Sequence, residues 1–156
     1  MGADARIAEL NLQLPPVPKP AGVYKPVLVV AGLAYVSGHG PLRADKTLIT
    51  GRVGADLDVA GGYQAARQTG LAILATLRGH FGTLDRVRRV VKLLGMVQCG
   101  PDFKDHPAVI NGCSELFRDI WGEDLGVGAR SAVGMVSLPG GIATEIEVIF
   151  ELTPSG

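Results

Sequence analysis

The stretch Thr144-Glu-Ile-Glu-Val-Ile-Phe-Glu-Leu152 decides the fold class. Thr144, Ile146, Val148, Phe150 and Leu152 fall on one parity. Glu145, Glu147, Ile149 and Glu151 fall on the other. A period of two is the signature of a strand, here with one apolar face and one mostly acidic face. Such a strand belongs to a sheet that is covered on one side only, and something of a different period has to cover it.

That second period lies upstream. Tyr63, Ala66, Gly70, Leu74, Leu77 and Phe81 recur every three or four residues, which predicts an amphipathic helix from Gly61 to about Gly82. Gly70 sits on the stripe, where it costs about 1 kcal/mol against Ala. Close approach of the helix to a sheet is the expected reason. A second helix is predicted from Asp105-His106-Pro107, since Pro suits the first helical position. Val109, Cys113, Leu116 and Ile120 form its row, widened by Ile110, Phe117 and Trp121, and Gly122 ends it.

The remaining β-rich segments surround these helices. Residues 27–38, VLVVAGLAYVSG, read as a hairpin or a tightly bent strand around Ala31-Gly32. Residues 46–54 read as a shorter strand, and 86–98 and 131–138 as two more. Residues 1–14 have room for one helical turn. The prolines at 15, 16, 18 and 20 each lack an amide donor, so residues 1–20 are expected to be an extended arm. The expectation is α+β: about six strands in a mixed sheet with two helices of about four turns on one face, and one domain over 21–156.

Composition agrees with one packed domain. The chain has 156 residues, of which 47% are hydrophobic and 19% charged, which excludes a disordered chain. The 22 glycines have no three-residue period, which excludes collagen. Lys plus Arg and Asp plus Glu each number 15. Zero net charge argues against a general nucleic-acid or membrane-surface binder. There is no apolar leader and no run approaching the ~20 residues of a membrane span. Two cysteines without CxxC fit a reducing cytoplasm and no zinc site. No spacing of His, Asp and Glu suggests a metal.

Chemistry-bearing residues gather in the last third. Arg130 opens a strand behind Gly126-Val127-Gly128, and Glu145 follows the turn Leu138-Pro139-Gly140-Gly141. A guanidinium held there can bind a carboxylate bidentately, and a glutamate nearby can hold or deprotonate a water. The same two residues also fit an ordinary ion pair across adjacent strands.

Taken in order, several segments resemble one family. They are Gly22-Val-Tyr24, Tyr35-Val-Ser37-Gly38, Leu84-Asp85-Arg86-Val87, Asn111, Ala129-Arg-Ser-Ala-Val-Gly134, Leu138-Pro139 and Glu145-Ile-Glu147. The resemblance is to the Rid family, also called YjgF/YER057c/UK114 or endoribonuclease L-PSP, over roughly residues 20–152. The Arg-Ser-x-Val…Leu-Pro…Glu-Ile-Glu block is its most specific part, and Ala-Arg-Ser-Ala-Val-Gly points to a less-studied branch.

The resemblance implies a chorismate-mutase-like fold and a homotrimer whose sheets form a central barrel, with clefts between subunits. It implies hydrolysis of enamines and imines, such as 2-aminoacrylate, to 2-keto acids and ammonia without cofactor or metal. By position, Arg130 matches the carboxylate-binding arginine and Glu145 the glutamate near the attacking water. Tyr24, Ser37, Gly38, Asn111, Ser131 and Ala132 match cleft-lining positions. Ala132 departs from the Cys of well-studied members.

Other residues have plainer readings. Cys113 is expected in the core, Cys99 as a loop thiol and His39 as a solvated loop residue. His80 and His106 are expected at helix ends. Arg86, Arg88 and Lys92 are expected on a solvated face paired with acids, although such a stripe would also suit RNA. Three functions follow for testing: an imine deaminase, a non-catalytic binder of small carboxylates, and an RNA-binding or RNA-cleaving protein.

Overall fold

A computed structural model describes residues 1–154 of the chain. Residues 155–156, the end of the expected domain, lie outside the described residues. The elements are α1 (Ala3–Glu9), β1 (Val27–Val30), β2 (Leu33–His39), α2 (Val59–Phe81), β3 (Val87–Gln98), α3 (His106–Gly126), β4 (Ala129–Met135) and β5 (Thr144–Leu152). The sheet order is β1-β2-β5-β3-β4. All pairings are antiparallel except β3 with β4, which are parallel and joined through α3.

The alternation in 144–152 is realised as read. Ile146, Val148, Phe150 and Leu152 are buried under the helices, and Glu147 on the other parity is exposed. Helix α2 contributes Ile73, Leu74 and Leu77, and α3 contributes Ile110, Leu116 and Phe117, all fully buried. Each such side chain contributes roughly 1.5–3 kcal/mol by leaving water. Phe117, Trp121 and Phe150 meet edge-on or tilted, with centroids 5.6–5.8 Å apart.

Several expectations are corrected. Among the described residues the sheet has five strands rather than about six, because residues 46–54 make only isolated bridges: Leu48 to Leu42, Thr50 to Ile142, and Val53 to Leu57 and Cys99. That segment carries Gly51 and Gly54 at positive φ, which breaks a ladder. The described residues form three α-helices rather than two, and α2 runs 23 residues. The N-terminal arm is not extended throughout. Residues 3–9 are helical and bury Ala3 and Ile7, and the extended strap begins after Asn11. Asp4 ties α1 down by accepting from Arg78 Nη2 at 2.7 Å and from the Leu84 amide at 3.1 Å.

Gly70 faces a helix, not a sheet. A Cβ there would sit 2.9 Å from Leu116 Cδ2 and 3.1 Å from Cys113 Sγ. Gly112 on α3 lies against the Tyr63 carbonyl and, at 3.0 Å from a built Cβ, the Arg67 amide nitrogen of α2. The two helices therefore touch backbone to backbone, and Tyr63 Oη donates to Glu115 Oε2 at 2.6 Å beside the crossing. Helix α3 is interrupted where expected, since Gly122 takes φ 81°.

Candidate functional site

Arg130 stands opposite Leu93 in the parallel ladder, and Leu93 stands opposite Val148 in the antiparallel one. This row faces the helices. The guanidinium therefore reaches α3, where Nη1 donates to Asn111 Oδ1 at 2.8 Å and to Ser114 Oγ at 3.1 Å, and Nη2 to the Pro107 carbonyl at 3.5 Å. Asn111 and Ser114 are three residues apart, so one helix face presents both. They fix the guanidinium plane at a cavity of about 270 Å³ that also includes Glu115 and Val127. Sequence reading missed Ser114 and Pro107. The i, i+3 spacing of Ser114 from Asn111 was the available signal.

Glu145 stands opposite Met96, which is three positions from Leu93. The odd offset puts Glu145 and Arg130 on opposite faces of the sheet. The Arg130–Glu145 ion pair left open from sequence is thus not formed. Glu145 instead joins Tyr24, Ser37 and Gly38 around a cavity of about 650 Å³. The register of β2 on β5 shifts between Val36 and His39, and this bulge swings Ser37 and Gly38 toward the cavity. A Cβ at Gly38 would sit 2.6 Å from Glu145 Oε2, so only glycine leaves the carboxylate its place. Burial raises the Glu145 pKa above its usual value of 4.5, and the neighbouring Glu147 charge pushes the same way.

His39 is a correction. It is buried, 7% exposed, rather than solvated. Its Nδ1 lies 2.6 Å from the Ser37 carbonyl and its Nε2 2.7 Å from Thr76 Oγ1. A carbonyl only accepts, so Nδ1 carries the proton and Nε2 accepts from Thr76. Burial lowers the His39 pKa below 6.5, against the Ser37 hydrogen bond, which raises it. The imidazole thereby clamps the Ser37-Gly38 bulge to α2. The Ser37 hydroxyl donates to the Lys25 carbonyl at 2.6 Å, and Tyr24 Oη accepts from the Ala21 amide at 3.1 Å.

Ser131 has the opposite parity to Arg130 and accepts from Lys92 Nζ at 3.4 Å. Ala132 shares Arg130's face and packs on the core. Cys99 lies in the connection after β3, as expected of a loop thiol, but it is buried, with its Sγ 3.4 Å from His106 Nε2. Cys113 is fully buried as expected, and burial pushes its thiol far above the usual range. Of the stripe Arg86, Arg88 and Lys92, Arg88 pairs with Glu151 at 3.0 Å; Arg89, outside the stripe, lies 3.7 Å from the same carboxylate. Among the described residues no cluster of three or more His, Cys, Asp or Glu could hold a metal. No helix among them is long and apolar enough to cross a membrane.

The family profile described as "YjgF/chorismate_mutase-like, putative endoribonuclease" matches residues 4–138. The chain belongs to the YjgF/chorismate-mutase-like family. The match takes in most of α1, the whole proline strap and the quoted segments up to Leu138, and it stops short of Glu145-Ile-Glu147; the five-stranded α+β architecture is this family's fold. Protein TCP17 of Trypanosoma cruzi is 37% identical over 148 residues, covering 95% of this chain and 92% of TCP17. The crystal structure of Atu1372 from Agrobacterium tumefaciens, a protein of unknown function, superposes with a TM-score of 0.87 at 39% identity, covering 97% and 92% of the two chains. RidA from an Antarctic Psychrobacter superposes with a TM-score of 0.62 at 25% identity, covering 90% and 97%.

Proposed function

We propose that the protein hydrolyses reactive enamines and imines of 2-keto acids, in clefts completed between copies of the chain in a homotrimer. The observation that carries this reading is the division of the matched residues into two groups on opposite faces of one sheet. One protomer offers a carboxylate-binding cation on the sheet face away from Glu145. It also offers, on the other face, a half-buried carboxylate whose cavity holds the exposed Lys19 as its cation. Apposition of the Arg130 group of one copy with the Glu145 group of the next unites them. The open face also has apolar surface to cover, since Tyr35 is 41% and Val133 37% exposed. Kinship with a protein named RidA supports the reaction class.

The chemistry asks little of the site. Arg130, its plane fixed by Asn111 and Ser114, holds the substrate carboxylate. Water adds to the iminium carbon and loses a proton to Glu145, giving a carbinolamine. The nitrogen takes that proton back from Glu145 and leaves as ammonia, while the carbinolamine hydroxyl passes its own proton to the Glu145 carboxylate and its C–O bond becomes the keto group. A carboxyl whose pKa is raised above 4.5 holds the proton it must later return more firmly than an ordinary one. Ala132 places a methyl group where well-studied relatives carry a thiol, so the thiol has no part in these steps.

The test generates the imine in situ with an amino-acid oxidase and follows trapping of the imine by semicarbazide. Acceleration of imine loss by the protein supports the proposal. A rate equal to that of spontaneous hydrolysis at micromolar protein overturns it.

A further inference from the structure

Resting on that reading, we infer that the Glu145 side of the cleft takes 2-imino and 2-keto acids with a large apolar side chain. The chain would seat against Leu42, Leu48, Ile142 and the prolines of the N-terminal strap. The cavity measures about 650 Å³, more than twice that beside Arg130. Pockets of roughly 300–1,000 Å³ hold drug-sized molecules. A compound as small as 2-aminoacrylate leaves most of this one to water.

The wall away from Glu145 is apolar. Gly40 makes room for it, because a Cβ there would lie 3.0 Å from Ile142 Cδ1 and 3.5 Å from Leu48 Cδ2. Leu48 is 41% and Tyr24 46% exposed, although both line a concave surface. Apolar surface of that kind gains by covering a hydrocarbon chain.

Pro18 and Pro20 complete the wall. Proline has no amide to donate and a fixed φ, so the wall is stiff and offers a ligand no hydrogen bond from those residues. The strap is held in place at both sides: Val17 packs at Gly79 of α2, and the Ala21 amide is tied to Tyr24 Oη. Two charged groups line the cavity, Glu145 and Lys19. Lys19 is exposed on a flexible stem, and an exposed ion pair gains little. A second carboxylate on the substrate would also meet Glu145. Charge and shape thus favour a hydrocarbon chain over a diacid.

Titration calorimetry on the full chain tests this without relying on turnover. The probes are 4-methyl-2-oxopentanoate, pyruvate and 2-oxoglutarate. Each buried methylene contributes about fourfold, so the branched acid is expected to bind at least about tenfold tighter than pyruvate. Leu48→Asp, at an exposed position, is expected to collapse that ratio toward one, and Ile142→Ala to reduce it. Equal affinities for the branched acid and pyruvate, or tighter binding of 2-oxoglutarate, overturn the inference. So does a ratio untouched by Leu48→Asp. The imine assay is scored separately. Preferential binding of the branched acid without imine turnover sustains the pocket and sinks the deaminase. Turnover without chain-length preference does the reverse.

Discussion

The two faces of the sheet handle their polar groups in opposite ways. On the helix side, Arg130 is held by three acceptors, from Asn111, Ser114 and Pro107, and sits at a small cavity. On the open side, Glu145 has no charged partner, and burial and Glu147 both favour its protonated form. One group is positioned and the other is destabilised as an ion. The difference teaches that one sheet can keep a positioned cation and a carboxyl of raised pKa apart, so that neither neutralises the other. Had Arg130 and Glu145 shared a face, they would form a plain ion pair with neither an open anion site nor a perturbed carboxyl.

Several measurements would break or sharpen that contrast. The largest effect is expected from Arg130→Ala, which should lower imine turnover at least about 100-fold, as loss of a dedicated charge-stabilising donor does. Its hydrogen bonds are partly exposed and worth about 1 kcal/mol each, so the melting temperature should move by only a few degrees. A large drop in melting temperature with the same loss of rate would make Arg130 structural. Glu145→Gln should cost about 100-fold through loss of the proton acceptor, and full activity in this variant would remove Glu145 from the chemistry.

Mixing the two inactive variants by co-refolding gives a sharper result. If each site takes Arg130 from one copy and Glu145 from another, random assembly restores about a quarter of the sites. No recovery would confine each site to one chain.

The pH dependences are smaller and of defined sign. Turnover should rise with pH as Glu145 ionises, through a midpoint above the ordinary 4.5. A midpoint at or below 4.5 contradicts the burial argument. The folded state binds the Glu145 proton more tightly than the unfolded state. Its contribution to stability is therefore complete below 4.5 and is lost as pH rises through the raised value. Glu145→Gln should accordingly melt higher than the parent at pH 7, with the gap closing in acid. His39 acts in the reverse direction. Its folded pKa is lowered from 6.5, so stability should fall as pH drops below 6.5. Replacing His39 with Gln should flatten that slope, read from melting temperatures between pH 7 and 5.

Much of this architecture was legible locally. The alternation in 144–152 gave β5, the i, i+3/i+4 rows gave α2 and α3, and Gly122 marked the break in α3. The failures have a common physical form. Residues 46–54 are apolar and β-branched enough for a strand, yet positive-φ glycines left them as bridges. His39 reads as a loop residue because the ring's two partners are set by a bulge and by a helix 37 positions away. Gly70 was rightly read as a close-approach site, but sequence cannot say which element approaches.

The sequence by itself determined the class of layers, the helix and strand periods, and the motif residues Arg130, Glu145, Tyr24, Ser37, Gly38 and Asn111. The layers, the periods and the candidacy of Arg130 and Glu145 follow from spacing and side-chain chemistry along the chain, whereas Tyr24, Ser37, Gly38 and Asn111 rest only on the resemblance to a family. Only the tertiary structure decided that Arg130 and Glu145 face away from each other, that His39 is buried and clamps the bulge, and that a strap of prolines walls the larger cavity. Strand register, the bulge and the crossing of α2 over α3 join residues far apart in sequence, and no local pattern encodes which of them meet.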